Sequence, residues 1–164
     1  MVLTREVEEE SDFAAILGVP GVENVISLNR MLLPEHLTSL DDLRTAASRL
    51  RADILLVYTF DTVFFDEDRA RPLTAITLGL SPSRRITATT TASALILDTR
   101  TGFIYGALES TASERKASSS WGTRESADKA RMATERDAFA GVVSGFVDLW
   151  PRIVERHGPA AAMR

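Results

Sequence analysis

The chain has 164 residues, 45% of them hydrophobic and 26% charged, with a formal net charge of -4. Those proportions belong to a folded globular domain and exclude disordered and collagen-like chains, while the acidic balance argues against a nucleic-acid backbone as partner, which Lys and Arg must neutralise. With Cys 0 and His 2, disulfides, thiolate nucleophiles, cysteine-ligated metals and multi-histidine metal sites are all excluded within one chain.

Residues 4–17 predict a helix. Its acid-rich first turn (Glu6, Glu8, Glu9, Glu10) suits the positive helix N-terminus, and Phe13, Ile16 and Leu17 gather on one side before Gly18. Residues 22–28 are rich in Val and Ile and bounded by Gly21 and Asn29, which predicts a first strand; Pro34 and His36 then lie in a connector. Ser39 with Asp42 reads as a capping box, and Leu40, Leu43, Ala46, Ala47 and Leu50 recur at helical spacing, so a helix should end near Arg51.

That helix runs straight into residues 53–60, apolar on both faces as in a strand covered on both sides. Strand, helix, strand implies a parallel pair with a right-handed crossover, a β-α-β unit. Carried on through Phe65, the strand would reach about 13 residues, or roughly 40 Å at ~3.3 Å per residue. Asp66, Glu67, Asp68 and Pro72 should break it.

Residues 84–115 predict a hairpin turning at Asp98-Thr99-Arg100-Thr101-Gly102. A symmetric turn sets Leu97 opposite Phe103, and Thr87, Thr89 and Thr91 opposite Ser113, Thr111 and Glu109; a bulge at Gly102 would move these pairs by one. From about Thr123 to Trp150 the chain should be helical. A small stripe (Ala127, Ala130, Thr134, Ala138, Gly141, Gly145) lies beside a large one (Met132, Phe139, Val143, Phe146, Trp150), and Ala92, Ala94 and Gly106 offer the small stripe a shallow surface. Pro151 should end or kink the helix. The expected fold is α/β (α+β): a mixed sheet of about four to five strands with a β-α-β unit, a long antiparallel hairpin and a long C-terminal helix packed on the sheet. One domain spans 1–157, and 158–164 form a disordered tail.

Asp61, Asp66, Glu67 and Asp68 gather carboxylates at the end of the long strand, a donor set suited to Ca²⁺ or Mg²⁺, but without the glycine turn and terminal glutamate of an EF-hand loop. An acidic turn that blocks edge pairing explains them as well. His36 has no G-x-S-x-G nucleophile setting around any serine, and neither glycine-rich phosphate loop is present. No catalytic residue, metal ligand or cofactor is assigned. The distinctive feature is an apolar run fenced by arginine: Phe64, Phe65, Arg69, Arg71, Leu73, Ile76, Leu78, Leu80, Arg84 and Arg85 form the expected partner-binding surface.

The stretch Leu43-Arg44-x-x-Ala47-x-x-Leu50-x-Ala52-Asp53-Ile54-Leu55-Leu56-Val57-Tyr58, with Ala92-Ser93-Ala94-x-x-x-Asp98-x-Arg100-Thr101-Gly102 after it, resembles bacterial envelope lipoprotein domains. The layout is similar to the curli-secretion and penicillin-binding-protein-activator lipoproteins over roughly residues 22–150. The resemblance implies a periplasmic, membrane-associated module, without catalysis of its own, that binds envelope proteins or self-associates. The sequence has no lipobox cysteine, so such a tether would sit upstream of Met1. Leu73–Leu80 is also shorter than the roughly nine to eleven residues of a membrane-spanning strand. Two other readings of the residues stand beside this one: a small metal-dependent or hydrolytic enzyme using Asp61, the 66–68 loop and His36, and a cytoplasmic regulatory domain.

Overall fold

Glu9 and Asp12 close a capping box at the start of α1 (Glu10–Leu17), the Glu9 amide donating to the Asp12 carboxylate at 2.8 Å. The helix is shorter than residues 4–17 because the cap sits inside the acidic run. The computed structural model describes residues 7–68, 84–118 and 123–158, and side chains at 66–68, 84–86, 116–118, 123 and 124 are outside that description. The tail expected at 158–164 lies outside the described residues from 159 onward.

The strand expected at 22–28 is not formed: these residues carry no regular structure. Half-buried positions fall at Val22, Val25 and Leu28 while Ile26 is 53% exposed, so burial does not alternate as a ladder strand requires. A 3-10 turn (Arg30–Leu32) follows, and then α2 (Leu40–Arg49), capped by Ser39 and Asp42 as expected. The Thr38 amide, then its hydroxyl, hold the Asp42 carboxyl below the usual carboxylate range. Arg51, with φ +56, turns the chain out of the helix.

β1 (Ile54–Asp68), β2 (Arg84–Asp98) and β3 (Ile104–Ser118) each have 15 residues and form an antiparallel sheet in the order β1-β2-β3. Among the described residues the sheet has three strands, so the fourth strand and the parallel β-α-β pair are absent there. The acidic residues do not end β1 where expected, since its backbone stays extended to Asp68. The Thr99 amide donates to the Asp53 carbonyl at 2.9 Å, and the Thr62 and Thr90 hydroxyls meet at 2.8 Å. Both belong to one register, which sets Asp61 opposite Thr91, Val63 opposite Thr89 and Phe65 opposite Thr87.

At the hairpin, the Gly102 amide donates to the Asp98 carbonyl and the Asp98 amide to the Phe103 carbonyl, both at 2.9 Å, with Gly102 at φ +75. This is a glycine bulge, a conformation open to Gly at no steric cost. Further out, Thr91 meets Thr111 at 3.0 Å and Thr89 meets Ser113 at 2.9 Å. Those partners lie two residues beyond the symmetric expectation. The bulge at Gly102 accounts for one, and the ladder takes up the other before the Thr91 row.

α3 (Thr123–His157) has 35 residues and contains Pro151, which does not end it as expected. Trp150 and Ile153 are buried on either side of the proline, so packing holds the helix across the missing hydrogen bond.

The chain forms two compact units, to both of which β1, β2, β3 and α3 contribute. In the first (1–59, 93–109, 142–164), Ala47 of α2 packs with Leu55 and Leu97, joined by Leu28, Leu43, Ala52, Val57 and Leu95. Gly145 and Gly106 meet Leu108 and Leu149, so α3 lies close against β3. Phe146 stacks on Trp150 at 5.4 Å, and the Trp150 indole donates to the Pro20 carbonyl at 3.1 Å, fastening the segment after α1. In the second unit (60–92, 110–141), Ala88, Ala92, Ala130 and Ala138 are 0% exposed, and Gly141 abuts Ser110. The small stripe is therefore the packing stripe, as expected. Met132, assigned to the large stripe, is instead 48% exposed.

Candidate functional site

In the second unit one sheet face carries the odd-numbered residues, because side chains alternate along a strand. Its rows follow from the register. Asp61, Thr91 and Thr111 make the first row, Val63, Thr89 and Ser113 the second, and Phe65, Thr87 and Arg115 the third, with Arg115 Nε donating to the Thr87 hydroxyl at 3.4 Å. Thr91–Thr111 and Thr89–Ser113 each share one hydroxyl hydrogen bond, which ties β2 to β3 across this face. Val63 is 47% exposed and Phe65 57%.

Phe64 points to the other side of β1 and is 45% exposed. The two expected site phenylalanines are thus both solvent-facing but on opposite faces. Arg84 and Arg85 open β2, and Arg69, Arg71, Leu73, Ile76, Leu78 and Leu80 lie outside the described residues. The sequence reading passed over Val63, Asp61 and Arg115 as members of one surface. The signal available was the T-x-T alternation at 87, 89 and 91, read against an incorrect β3 register.

The opposite side of the same unit holds a polar chain in its interior. Thr90 and Thr134 are 0% exposed with their hydroxyls 2.7 Å apart, and Thr62 links Thr90 toward Glu135. Arg131 donates to Glu135 at 2.8 Å, one helical turn away. Every member has a partner, as a buried polar network requires.

In the first unit, the Asp98 carboxylate organises the turn. Its Oδ1 accepts from the Arg100 and Thr101 amides at 2.9 and 2.6 Å and from the Thr101 hydroxyl at 2.9 Å, while Oδ2 accepts from the Tyr105 hydroxyl at 3.2 Å. The Thr101 amide is the main cause that holds the Asp98 carboxyl below its usual range. Burial, then the Asp98 charge, push the Tyr105 phenol up. Arg44 donates to the Thr99 and Arg100 carbonyls at 3.0 and 2.6 Å, tying α2 to the turn. Phe103, Tyr105 and His157 form an aromatic triangle with centroids 5.2 to 5.3 Å apart. Tyr58 donates to Glu8 at 2.6 Å; burial, then that bond, push its phenol up.

An open cleft of about 530 Å³ in this unit is lined by Leu40, Val57, Thr59, Ser93, Leu95 and Glu109 among others. Its walls come from β1, β2 and β3, with Leu40 at the start of α2 on one side. His36 and Asp61 are both exposed. Among the described residues no group of three or more His, Asp or Glu is placed to hold a metal ion, and no helix is long and apolar enough to cross a membrane. No protein-family model, curated protein or solved structure matches the chain.

Proposed function

We propose that the chain is a non-catalytic domain of the bacterial envelope, periplasmic and membrane-associated, that binds or assembles protein partners through the region from Phe64 to Arg85. The observation that carries this reading is the run Val63-Phe64-Phe65, exposed by 47, 45 and 57% on β1, an outer strand of the sheet. Three consecutive large apolar side chains open to solvent on both faces of a strand that is outermost among the described residues are costly to leave uncovered, and covering them with another protein removes that cost. The arginines Arg69, Arg71, Arg84 and Arg85 border the same region in sequence and would favour an acidic rim on the partner. The resemblance to envelope lipoprotein domains supports the location.

The test replaces Phe64, Leu73, Ile76 and Leu78 with Ser and compares wild type and variant by sedimentation velocity and by pull-down from an envelope extract. The reading expects loss of self-association or of a specific co-purifying protein. A variant that matches wild type in both assays would overturn it.

A further inference from the structure

We infer that a second copy of this chain docks face to face on the odd-numbered sheet face of the second unit, a proposal that rests on the binding reading above and names its partner. The carrying observation is a charge diagonal. Asp61 and Arg115, both exposed, occupy opposite corners of the three-row array, with Val63, Thr89, Ser113, Thr91 and Thr111 between them. Strands about 4.8 Å apart and same-face residues about 6.7 Å apart put those corners roughly 16 Å from one another.

A twofold axis lying in the interface, perpendicular to that diagonal, brings Asp61 of each copy onto Arg115 of the other. One surface thereby supplies two ion pairs, as a self-complementary contact requires. The same axis passes close to the Phe65 corner, so the two Phe65 positions, each 57% exposed in the single chain, fall about 5 Å apart in projection on the interface, near enough for the side chains to cover one another. The strands of the two sheets then cross steeply, toward the orthogonal class of sheet packing. The array between the corners carries no charge, and Thr89 bonds Ser113 and Thr91 bonds Thr111 within it, so covering it costs less than covering charged side chains would.

Three strands by three residues amount to roughly 300 Å² per copy at the same spacings, against the ~800 Å² per partner of a standard stable interface. The dimer is accordingly weak, with a dissociation constant of micromolar order or above, and salt loosens it.

The experiment is a charge swap read by sedimentation velocity on the full chain, from about 10 μM to 1 mM. Asp61→Arg makes both pairs repulsive, and so does Arg115→Asp. Each variant alone is expected to dimerise at least tenfold more weakly than wild type. An equimolar mixture of the two is expected to recover association within a few-fold. In a mixed dimer the arginine introduced at position 61 meets the aspartate introduced at position 115, and the native Arg115 of the first variant meets the native Asp61 of the second. Matching circular dichroism melts confirm that both variants fold. A wild-type chain that stays monomeric to 1 mM overturns the proposal, as does a mixture that associates no better than either variant. If wild type dimerises, the charge variants leave it unchanged and Phe64→Ser abolishes it, this face is wrong while the broader binding reading survives. If wild type is monomeric yet retains a Phe64-dependent partner in pull-down, the inference alone falls.

Discussion

Gly141 lies so close to Ser110 that a Cβ built on it would sit 2.0 Å from the Ser110 hydroxyl oxygen and 2.8 Å from the Ser110 Cβ. Within a helix, replacing Gly by Ala ordinarily stabilises by about 1 kcal/mol. Here the sign should reverse: Gly141→Ala is expected to cost about 2 kcal/mol or more, since helix and strand must separate. Gly145 is the internal control, because its added Cβ would meet the end of the flexible Leu108 side chain at 3.2 Å. Gly145→Ala should therefore change stability by less than about 1 kcal/mol. Urea unfolding followed by circular dichroism checks both, and a Gly141→Ala protein at least as stable as wild type would show that the close approach is wrong.

The buried hydroxyl chain makes a separate claim. Thr90 is its centre, with Thr62 at 2.8 Å and Thr134 at 2.7 Å. Thr134 also bonds the Ala130 carbonyl at 3.0 Å, so its proton has a place to go without Thr90. Thr90→Val should cost about 1–2 kcal/mol through loss of the two hydroxyl bonds that Thr90 makes, to Thr62 and to Thr134. Thr90→Val with Thr134→Val should cost less than the two single changes added, because the pair leaves together. A double-mutant cycle measures the coupling, and strict additivity would mean the two hydroxyls do not interact.

Much of this architecture was legible in the sequence because its cause is local. The turn at Asp98–Gly102 needs a carboxylate acceptor and a positive-φ glycine, and both stand at the spacing the turn uses. The small stripe on α3 was readable because steps of three and four residues return to one helix face. Residues 22–28 misled because Val and Ile show that a segment can be extended but not that a neighbouring strand exists to pair with it. Of the two outcomes open to Pro151, ending the helix is not the one that forms: the burial of Trp150 and Ile153 is a tertiary fact that outweighs a local penalty. The Asp61–Arg115 diagonal was hidden by register alone. Thr87 and Arg115 are 28 positions apart, and a slip of two residues in the ladder sends the arginine to another row.

The Asp98 carboxylate carries the clearest prediction for pH. Its folded value is depressed, chiefly by the Thr101 amide. The stability it contributes is thus fully present above the unfolded carboxylate value of about 3.9 and is lost as pH falls through the lower folded value. Asp98→Asn keeps one acceptor oxygen but has no charge to lose, so it should cost about 1–2 kcal/mol at neutral pH. That difference from wild type should shrink steadily below about pH 4. Tyr105 works at the other end of the scale. Burial and the Asp98 charge raise its folded value, so its contribution is complete below about pH 10 and disappears as pH climbs through the raised value. Tyr105→Phe should therefore soften the alkaline limb of the stability curve and, because its hydroxyl also donates to Asp98 Oδ2, weaken the acid limb to a lesser degree than Asp98→Asn does. Thermal melts of wild type, Asp98→Asn and Tyr105→Phe from pH 3 to 11 test both limbs at once, and an Asp98→Asn deficit that persists unchanged at pH 3 would show that the turn is held by its shape rather than by its charge.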